Sequence, residues 1–408
     1  MIKAQRGTKD IMGLDVAKFR YIEDTARNVF KMANYEELRT PIFEDTKLFA
    51  RGIGDSTDIV NKEMYTFFAP NNEENSITLR PENTAGAVRA YIEHGMSRMS
   101  PPQKIWYFGP MFRYERPQAG RQRQFHQVGV EMFGSKEATA DAEVILLAQN
   151  FLKNLGLKNL TVELNSLGCP ECRAKYKENI KEVLGKYLDE LCDDCHVRYE
   201  KNPLRMLDCK CEQCQQVFAR EEIQKVILAD FICDECQEHF NQLKKYLDKL
   251  DVKYSQNKLL VRGLDYYNRT VFEIKSENLG SQNAVCGGGR YDGLVEMLGG
   301  EKTPAVGWAM GVERLMAIMS DLEKEKLDYF VVSTNTEEAI KLTQKLRENG
   351  KSADFDFSSR KFAKQFEKAS KIAKCAVVIG EDEIANNYYT VKDLTSGTQE
   401  KRSFEELL

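Results

Sequence analysis

The segment from Phe112 to Glu131, FRYERPQAGRQRQFHQVGVE, carries the side chains best suited to bind charged substrates. Four arginines lie within eleven residues, with only Glu115 to oppose them; they are Arg113, Arg116, Arg121 and Arg123. Guanidinium groups on a rigid element bind phosphate and carboxylate groups bidentately. The tip from Pro117 to Gly120 lies between two alternating segments, which predicts a strand, a long hairpin loop and a second strand. This hairpin is therefore predicted to bind anions.

The returning strand of the hairpin places several functional groups on one face. Side chains alternate between the faces of a strand, so Phe125, Gln127 and Glu131 point the same way. The alternative, an ordinary solvated hairpin, would carry Lys, Glu and Thr at such positions. The strand instead offers an aromatic ring, an amide and a carboxylate in a row, which favours a binding pocket.

The composition is that of a globular protein with more than one domain. The chain has 408 residues, of which 42% are hydrophobic and 30% charged, enough for two or three domains and a large core. A net charge of −4 argues against a protein that coats nucleic acid by bulk charge, so any nucleic-acid contact must be regional. No apolar run approaches the ~20 residues of a membrane helix, and residues 1–13 lack an apolar signal core. We therefore expect a cytoplasmic protein that does not bind membranes.

The order of the predicted elements indicates an antiparallel α+β core. Strands follow one another through hairpins with helices beside them, rather than in the order of a parallel nucleotide-binding fold. A cysteine-rich, mostly helical insertion at residues 168–257 interrupts the sheet, since strand-like sequence resumes at Lys258. From Asp328 strands and helices alternate, which predicts a small α/β domain. The predicted domains are residues 1–325, which contain the insertion, and residues 327–408.

Three further motifs place polar residues beside strands, although the chain has no Walker A sequence and no GxGxxG between a strand and a helix. The glycines of CGGGRYDG, residues 286–293, would let the backbone approach a ligand closely, and a tight turn is the alternative. In LRPENTAG, Asn83 or Thr84 could cap the following helix. In VRGLDYYNRTVFE, adjacent Tyr266 and Tyr267 on a strand would point to opposite faces.

Nine of the eleven cysteines lie between Cys169 and Cys236. Most form C-x2-C pairs, which are Cys169/Cys172, Cys192/Cys195, Cys211/Cys214 and Cys233/Cys236. The separations between successive pairs fit tetrahedral zinc sites, and such clustering in a reducing compartment favours metal over disulfides. We hypothesise one or two structural zinc ions. The spacing leaves the pairing open: Cys209 is left over, and His196 or His239 could replace a cysteine. The alternative is a set of reduced, partly buried thiols.

Seven of the blocks together resemble the histidyl-tRNA synthetase family of bacterial type, a class II aminoacyl-tRNA synthetase family. In chain order they are RGTKD, TPIFED with ARGIG, LRPENTAG, the arginine hairpin, RGLDYYNRTVFE, GGGRYDGLVEMLGG and AVGWAMGVERL. The similarity covers nearly the whole chain outside the cysteine-rich part, including SRKFAKQFEKASKIAK, VVIGEDE and TVKDL near the end. Class II motifs are degenerate, but RGLDYYNRTVFE and GGRYDG resemble signatures of the histidine enzyme, which makes the resemblance specific.

The resemblance implies an enzyme that activates L-histidine with ATP and Mg²⁺, then transfers it to the 3′ end of tRNA(His). The implied catalytic residues are Arg113 and Arg262, on opposite sides of the ATP α-phosphate, and Arg314 on the γ-phosphate side. The implied ATP-binding residues are Arg113, Arg121, Phe125, which would stack on adenine, and Arg314. The implied histidine-binding residues are Glu82, Asn83, Thr84, Arg113, Gln127, Glu131, Arg262, Tyr266, Tyr267 and Tyr291. In-line attack on a phosphate needs positive charge more than a general base, which suits these arginines.

The resemblance also implies macromolecular partners. Arg116, Gln118 and Arg121 resemble residues that meet the tRNA acceptor end. The segment around Pro41 resembles the class II dimerisation element, which implies a homodimer, and the C-terminal domain would bind the anticodon. In that domain residues 358–374 hold six basic residues, which are Arg360, Lys361, Lys364, Lys368, Lys371 and Lys374. They indicate either contact with the anticodon stem or a solvated surface helix.

Two alternative functions explain fewer of these residues. A synthetase-like regulatory subunit of ATP phosphoribosyltransferase would bind without aminoacylating. Such proteins tend to lack the C-terminal domain and the phosphate arginines, whereas Arg113, Arg262 and Arg314 are all present here. A zinc-ribbon nucleic-acid-binding protein would explain the cysteines but leave the arginine and glycine blocks unused.

Overall fold

The structure is a computed structural model that describes most of the chain. The described residues are 1–54, 57, 59–69, 72–117, 120–209, 211–227, 231–276, 284–358 and 360–408. They form two compact units, Met1–Asp321 and Leu322–Leu408. Each unit has its own sheet and its own hydrophobic core.

The first unit is built on an antiparallel sheet. Its strands are β1 (Glu36–Glu37), β2 (Phe43–Asp45), β3 (Tyr65–Ala69), β4 (Asn72–Leu79), β5 (Gln103–Phe112), β6 (Gln124–Phe133), β7 (Leu160–Ser166), β8 (Tyr254–Gln256), β9 (Asn268–Ser276), β10 (Ala284–Arg290) and β11 (Ala305–Gly311). Eight of these form the large sheet in the order β1-β5-β6-β11-β10-β9-β7-β8, and β2-β4-β3 form a small one. In the large sheet the edge pairings β1/β5 and β7/β8 are parallel and the others are antiparallel. The predicted antiparallel α+β core is confirmed.

The helices of the first unit lie beside the sheet and in the insertion. They are α1 (Leu14–Met32), α2 (Thr46–Ile53), α3 (Thr84–Glu93), α4 (Ala138–Asn154), α5 (Pro170–Leu184), α6 (Asp193–Lys201), α7 (Glu212–Phe218), α8 (Glu221–Ile227), α9 (Asp234–Lys249), α10 (Leu294–Met297) and α11 (Val312–Ile318). Helices α5 to α9 make the insertion mostly helical, as predicted. Helices α5 to α8 share a core that contains Tyr176, Ile180, Phe218 and Ile223, whereas α9 packs into the main core of the unit through Phe240.

The two faces of the large sheet have different environments. On one face, Val128 and Val130 of β6 pack with Trp308 and with residues of α1 and α4 in the main hydrophobic core. Because side chains alternate along a strand, Gln127 and Glu131 of β6 point to the opposite face. The sheet therefore separates the apolar core from the polar residues of the candidate site.

The second unit is a small α/β structure. Its elements in chain order are β12 (Leu327–Ser333), α12 (Thr336–Glu348), β13 (Ala353–Phe355), α13 (Phe362–Ile372), β14 (Ala373–Ile379), α14 (Glu381–Asn386), β15 (Tyr389–Asp393) and β16 (Gln399–Arg402). The strands β13, β12 and β14 are parallel neighbours, and β15 and β16 extend the sheet antiparallel. The predicted α/β domain is confirmed, whereas α14 and β16 were not predicted. Within the described parts of both units, no helix combines the length and apolarity needed to cross a bilayer.

Candidate active site

The centre of the candidate site is the buried carboxyl group of Glu131, a residue that is 1% exposed. Thr84 Oγ1 and Tyr107 Oη donate hydrogen bonds to its Oε1, over 2.8 and 3.2 Å. Tyr291 Oη donates to its Oε2. The three hydroxyl groups belong to α3, β5 and the residue after β10. One carboxyl group therefore ties three elements together.

The environment of Glu131 changes its titration. Burial raises its pKa to about 8; the hydrogen bonds from Tyr291 and Thr84 oppose this shift, and the charge of Glu82 adds to it. The group is therefore largely protonated at neutral pH in the unliganded protein. A cation bound beside it would favour the ionised form, so this position suits a positively charged ligand.

Two strand glycines let charged side chains lie flat against the sheet. A Cβ atom added at Gly307 would collide with the carboxyl group of Glu131. One added at Gly287 would collide with the guanidinium group of Arg262. Both glycines lie inside strands, β11 and β10, so the alternative of a tight turn at CGGGRYDG is wrong. The close approach is made by the protein's own charged side chains, for which these positions leave room.

Tyr266 and Tyr267 precede β9 in a turn, so the prediction that they point to opposite faces of a strand is wrong. Their ring centroids are 4.6 Å apart, and the ring of Tyr266 lies 5.5 Å from that of Tyr291. Burial raises the pKa of both residues, that of Tyr267 to about 12, and the Glu131 charge contributes to the shift. Both phenols therefore keep their protons at neutral pH and belong to the same buried pocket.

Helix α3 is capped by Glu82. The Glu82 carboxylate accepts hydrogen bonds from the backbone N–H groups of Thr84 and Ala85, at 2.8 and 2.9 Å. Asn83 Oδ1 instead accepts from Thr40 Oγ1 at 2.5 Å. The capping prediction for Asn83 or Thr84 is therefore wrong, because both side chains are engaged elsewhere. The cap fixes the start of the helix from which Thr84 reaches Glu131.

Three buried polar atoms of the predicted histidine-binding residues have no hydrogen-bond partner among the described residues. They are Gln127 Oε1, Asn83 Nδ2 and Arg262 Nε. Leaving such an atom unpaired costs about 1–3 kcal/mol. Buried polar atoms in native proteins are nearly always paired, so these three indicate where a polar ligand would bind.

The arginine hairpin holds its charges through Glu115. Arg113 Nη1 and Arg121 Nη1 lie 3.6 and 3.3 Å from the Glu115 carboxylate. Arg113 Nε also donates to the Pro81 carbonyl at 2.8 Å, and its guanidinium carbon lies 5.3 Å from the centre of the Phe125 ring. The structure thus brings Arg113, Arg121 and Phe125 together on one hairpin.

Arg262 and Arg314 extend this charged region. Arg262 pairs with Glu273 of β9. Burial and the charge of Arg121 lower the pKa of Arg314 on α11, and the charge of Glu273 opposes this shift. The region contains four guanidinium groups, against the two carboxylates of Glu115 and Glu273. The four arginines are Arg113, Arg121, Arg262 and Arg314. The region therefore has an excess of positive charge suited to a polyphosphate.

The three predicted tRNA-binding residues are not all visible. Arg116 and Arg121 are both exposed, and Arg121 Nη1 lies 3.3 Å from the Glu115 carboxylate. Gln118 lies outside the described residues. Their role stays a prediction.

Two side-chain pairings that hold the site were not predicted from the sequence. Arg290 is fully buried and pairs with the equally buried Asp141 of α4, which fixes the backbone next to Tyr291. The Glu313 carboxylate accepts from the backbone N–H of His126 at 2.9 Å and lies 2.9 Å from its Nδ1, which joins α11 to β6. Arg290 lay inside the GGGRYDG block, but nothing in the spacing distinguished a buried anchor from a surface charge.

The cysteines of the insertion form two groups of four. The outer cysteine group consists of Cys169, Cys172, Cys233 and Cys236, and the inner cysteine group of Cys192, Cys195, Cys209 and Cys214. Within each group the sulfur atoms all lie within 4.8 Å of one another. The first C-x2-C pair therefore combines with the last one, although the spacing of successive pairs fits zinc sites.

Cys211, predicted as a metal ligand, lies outside both groups, and Cys209 takes its place. Cys209 is buried, and its sulfur accepts a hydrogen bond from the backbone N–H of Cys211 at 3.5 Å. The backbone of Cys211, two residues farther along the chain, thus supports the Cys209 thiol of the inner cysteine group. Neither histidine belongs to these two groups: His196 is exposed, and His239 Nε2 lies 3.6 Å from Asp141.

Comparison with known protein families shows to which family the chain belongs. The family model described as histidyl-tRNA synthetase matches residues 7–315. The chain belongs to the histidyl-tRNA synthetase family. A second model, described as anticodon binding domain, matches residues 325–408.

Members of the histidyl-tRNA synthetase family match this chain over its full length. A histidine–tRNA ligase of Caldanaerobacter subterraneus subsp. tengcongensis is 47% identical over 100% of this chain and 98% of its own. One of Aquifex aeolicus is 48% identical over 100% of both chains. The crystal structure of the apo S. aureus histidyl-tRNA synthetase is similar with a TM-score of 0.81 at 37% identity, covering 100% of this chain and 98% of that one. The predicted class II synthetase fold is thereby confirmed.

The raised pKa of Glu131 predicts a pH-dependent effect of Glu131→Gln. Between the ordinary pKa of 4.5 and about 8, the unfolded chain ionises this residue while the folded protein keeps its proton. The free energy of unfolding of the unaltered protein therefore falls as pH rises through this window, by about 1.4 kcal/mol per pKa unit of difference. Glutamine removes this loss. Melting temperatures measured without ligands should shift in favour of the variant from pH 5 to pH 8 and then level off.

Glu143→Gln, a change on the partly exposed side of α4, is the control and should show no such pH trend. A difference in melting temperature between Glu131→Gln and the unaltered protein that stays constant from pH 5 to pH 9 would contradict the raised pKa.

Proposed function

We propose that this protein is a histidine–tRNA ligase. It activates L-histidine with ATP to give histidyl-adenylate and pyrophosphate, and then transfers histidine to the 3′ end of tRNA(His). The observation that carries this proposal is the buried Glu131 pocket, with its unpaired Gln127 and Arg262 atoms, beside a region of excess arginine charge. One part suits a cationic amino acid and the other a triphosphate. Membership of the family supports the same conclusion.

The histidine pocket is proposed to surround the substrate with acidic, amide and phenol groups. Histidine carries an ammonium group and a ring with two nitrogens, which need acceptors and donors at fixed places. Glu131 and Gln127 supply buried oxygen acceptors, and the hydroxyl groups of Tyr266 and Tyr267 stay protonated. Glu82 lies below them as the cap of α3 and adds negative charge. A cation in this pocket offsets the cost of burying two carboxylates.

The arginines are proposed to stabilise the charge that develops on the transferring phosphate. A histidine carboxylate oxygen forms a bond to the α-phosphorus while the bond from that phosphorus to the bridging oxygen breaks, and pyrophosphate leaves with that oxygen. Arg113 and Arg262 would bind the α-phosphate, and Arg314 the γ-phosphate end. Arg113 is held by Glu115 and the Pro81 carbonyl, and Arg262 by Glu273, which reduces reorganisation during the reaction. Phe125 beside Arg113 would stack on adenine.

Aminoacyl-tRNA synthetases use ATP and Mg²⁺. Magnesium prefers oxygen ligands and commonly binds through phosphate oxygens, waters and one or two carboxylates. The carboxylates of Glu115 and Glu273 lie beside the arginines that are proposed to bind the phosphates, and they could supply such oxygen ligands. We propose that they hold the ion, which supplies charge neutralisation on the leaving pyrophosphate.

The domain roles follow from the same proposal. Residues 1–325 would form the catalytic domain, with residues 168–257 as its insertion, and residues 327–408 would bind the anticodon. Arg116, Gln118 and Arg121 would meet the acceptor end of the tRNA. Charging of tRNA for translation would place the protein in the cytoplasm.

We also propose that each cysteine group holds one structural zinc ion. Four cysteine sulfurs in close proximity match a zinc site with four thiolate ligands, and the first cysteine of each C-x2-C pair begins a helix. Positive helix ends favour the thiolate form that zinc requires. The zinc ions have no proposed part in the reaction steps.

The regulatory-subunit alternative is not favoured. It would leave Arg113, Arg262 and Arg314 without a purpose, although each has buried or ion-paired support. The matching anticodon-binding model over residues 325–408 also fits a protein that charges tRNA.

The purified protein should catalyse ATP–pyrophosphate exchange that depends on L-histidine and Mg²⁺. Arg262→Ala should lower kcat of this exchange by about 10²–10³-fold, since one charge-stabilising donor is lost. Arg347→Ala is the control, because it removes an ion-paired guanidinium of the second unit, and its exchange without tRNA should stay near that of the unaltered protein. Absence of histidine-dependent exchange in the unaltered protein would refute the proposed function, and near-normal exchange by Arg262→Ala would refute the role of that arginine.

Helix α13 tests the proposed anticodon contact. Lys364 and Lys371 pair with Glu367 at 2.8 and 3.2 Å on an exposed face, and such pairs contribute about 0–1 kcal/mol, so tRNA phosphates can replace them. The double variant Lys364→Ala, Lys371→Ala should bind tRNA more weakly. The slope of log affinity against log salt should fall by about one for each lost phosphate contact.

Exchange without tRNA should be unchanged in this double variant. Lys341→Ala on α12, which also removes an exposed paired lysine, is the control. Unchanged tRNA affinity and salt slope in the double variant would favour the solvated surface helix.

Exposed apolar residues beside Pro41 support the proposed homodimer. Phe43 is 56% exposed, and Phe68 on the neighbouring small sheet is 57% exposed. Burial of such residues is worth roughly 25 cal/mol per Å² of apolar surface. Sedimentation equilibrium should show a dimer that the double variant Phe43→Asp, Phe68→Asp converts to monomer. Phe357→Asp, at an equally apolar and 70% exposed position, should leave it dimeric; a monomeric unaltered protein at micromolar concentration would contradict the proposal.

A further inference from the structure

We propose that zinc in the outer cysteine group clamps the two ends of the insertion onto the turn that carries Tyr266 and Tyr267, and thereby positions the histidine pocket. The inner cysteine group mainly stabilises the core of the insertion and does not hold the backbone of this turn. This inference rests on the proposed function for the identity of the ligand, but its structural part does not. It makes the outer cysteines positioning residues.

The outer cysteine group has the geometry of a metal site. The backbone N–H of Cys169 donates to Cys236 Sγ at 3.2 Å, and that of Cys233 donates to Cys172 Sγ at 3.1 Å. The two C-x2-C pairs thus support each other symmetrically. Four thiolates at a zinc–sulfur distance of ~2.3 Å would lie about 3.8 Å apart. The sulfur atoms of Cys169 and Cys172 are 3.5 Å apart.

The first link from this group to the pocket passes through Gly168. Its φ of +69° is in the left-handed region, and an added Cβ would collide with Cys172, so this residue packs directly against the cysteine group. Its carbonyl accepts from the Arg269 N–H at 2.8 Å, and the N–H of Leu167 donates to the Arg269 carbonyl at 2.7 Å. The start of β9 is therefore tied to the residue before the first cysteine.

The second link is Arg173, the residue after Cys172. Its Nη1 donates to the backbone carbonyls of Asp265 and Tyr267, at 3.2 and 2.7 Å. These carbonyls flank Tyr266. One guanidinium group, anchored beside the outer cysteine group, thus fixes the backbone of both pocket tyrosines.

The third link joins the other C-x2-C pair. Glu235 lies between Cys233 and Cys236, and its carboxylate pairs with Arg269 Nη2 at 2.5 Å. Arg269 has a φ of +46°, a strained conformation for a residue with a side chain, so its surroundings must hold it. Contacts from both ends of the insertion therefore converge on residues 265–269.

The inner cysteine group has a different setting. Cys195, Cys209 and Cys214 are part of the hydrophobic core of the insertion, with Tyr176 and Phe218. The nearest tie to residues 265–269 is a hydrogen bond from Asn202, after α6, to the Asp265 side chain at 2.6 Å. The inner group thus reaches this turn through one side-chain hydrogen bond, whereas the contacts beside the outer group hold the backbone of the turn.

Cys233→Ser and Cys192→Ser form a matched pair of variants. Each removes the first cysteine of a C-x2-C pair, one from each group, and each leaves serine at a helix N-cap, where serine is favourable. Zinc per chain is measured in protein purified without added metal. Hydrogen exchange of the peptide spanning residues 264–269 and the KM values for histidine and ATP are then compared.

We expect two zinc ions per unaltered chain and one in each variant. Only Cys233→Ser should speed hydrogen exchange in residues 264–269. Only this variant should raise the KM for histidine, by about tenfold, while the KM for ATP changes by less than about twofold. Cys233→His, which supplies another zinc ligand at an exposed position, should restore both the metal and the KM.

Equal effects of the two variants on residues 264–269 would overturn the clamp, as would less than one zinc ion per unaltered chain. If the unaltered protein lacks histidine-dependent exchange, the proposed function fails. The zinc content and the hydrogen exchange of residues 264–269 would then still support or overturn the clamp.

Discussion

The candidate site depends on holding one carboxyl group, that of Glu131, in a place where water cannot solvate it. Three hydroxyl groups from separate elements converge on it, and a glycine in the next strand leaves the space that it occupies. Burying a charge without a partner is costly, so the unliganded protein holds a proton there instead. A cationic substrate group would replace that proton. The sheet, α3 and the turn before β9 thus surround a carboxyl group whose opposite charge would be supplied by the ligand.

In the arginine-rich half of the site, the charged groups are positioned by ion pairs before any ligand binds. Glu115 holds Arg113 and Arg121, and Glu273 holds Arg262, while the region keeps a net positive charge. Fixed charges of this kind need little reorganisation when a polyphosphate arrives. The two halves are connected through β9 and β10, because Arg262 lies over Gly287 and pairs with the strand beside it. An amino acid and a nucleotide bound in the two halves would meet on the same sheet face.

Much of this arrangement could be predicted from sequence, for identifiable reasons. Alternation along β6 correctly placed Gln127 and Glu131 on one face, because strand periodicity is local. The two tyrosines were misplaced because a strand-like run can end in a turn, and the contacts that decide this come from Arg173 in the insertion. The cap of α3 was assigned to Asn83 or Thr84 by residue preference, but long-range partners engage those side chains and leave the role to Glu82. The cysteine pairing could not follow from spacing, since it depends on how five helices bring the ends of the insertion together.

The topology of the insertion has a consequence for how the chain folds. Strands β7 and β9 are antiparallel neighbours, with Ser166 opposite Thr270, so residues 167–269 are in effect the loop of a single β-hairpin. Closing a loop costs entropy that grows with its length, and contacts between distant residues slow folding. The outer cysteine group joins residues near the start of that loop to residues much farther along it. Metal binding there would shorten the flexible loop between β7 and β9 and so lower the entropy cost of pairing these strands. We therefore expect the insertion to fold before β9 pairs with the sheet.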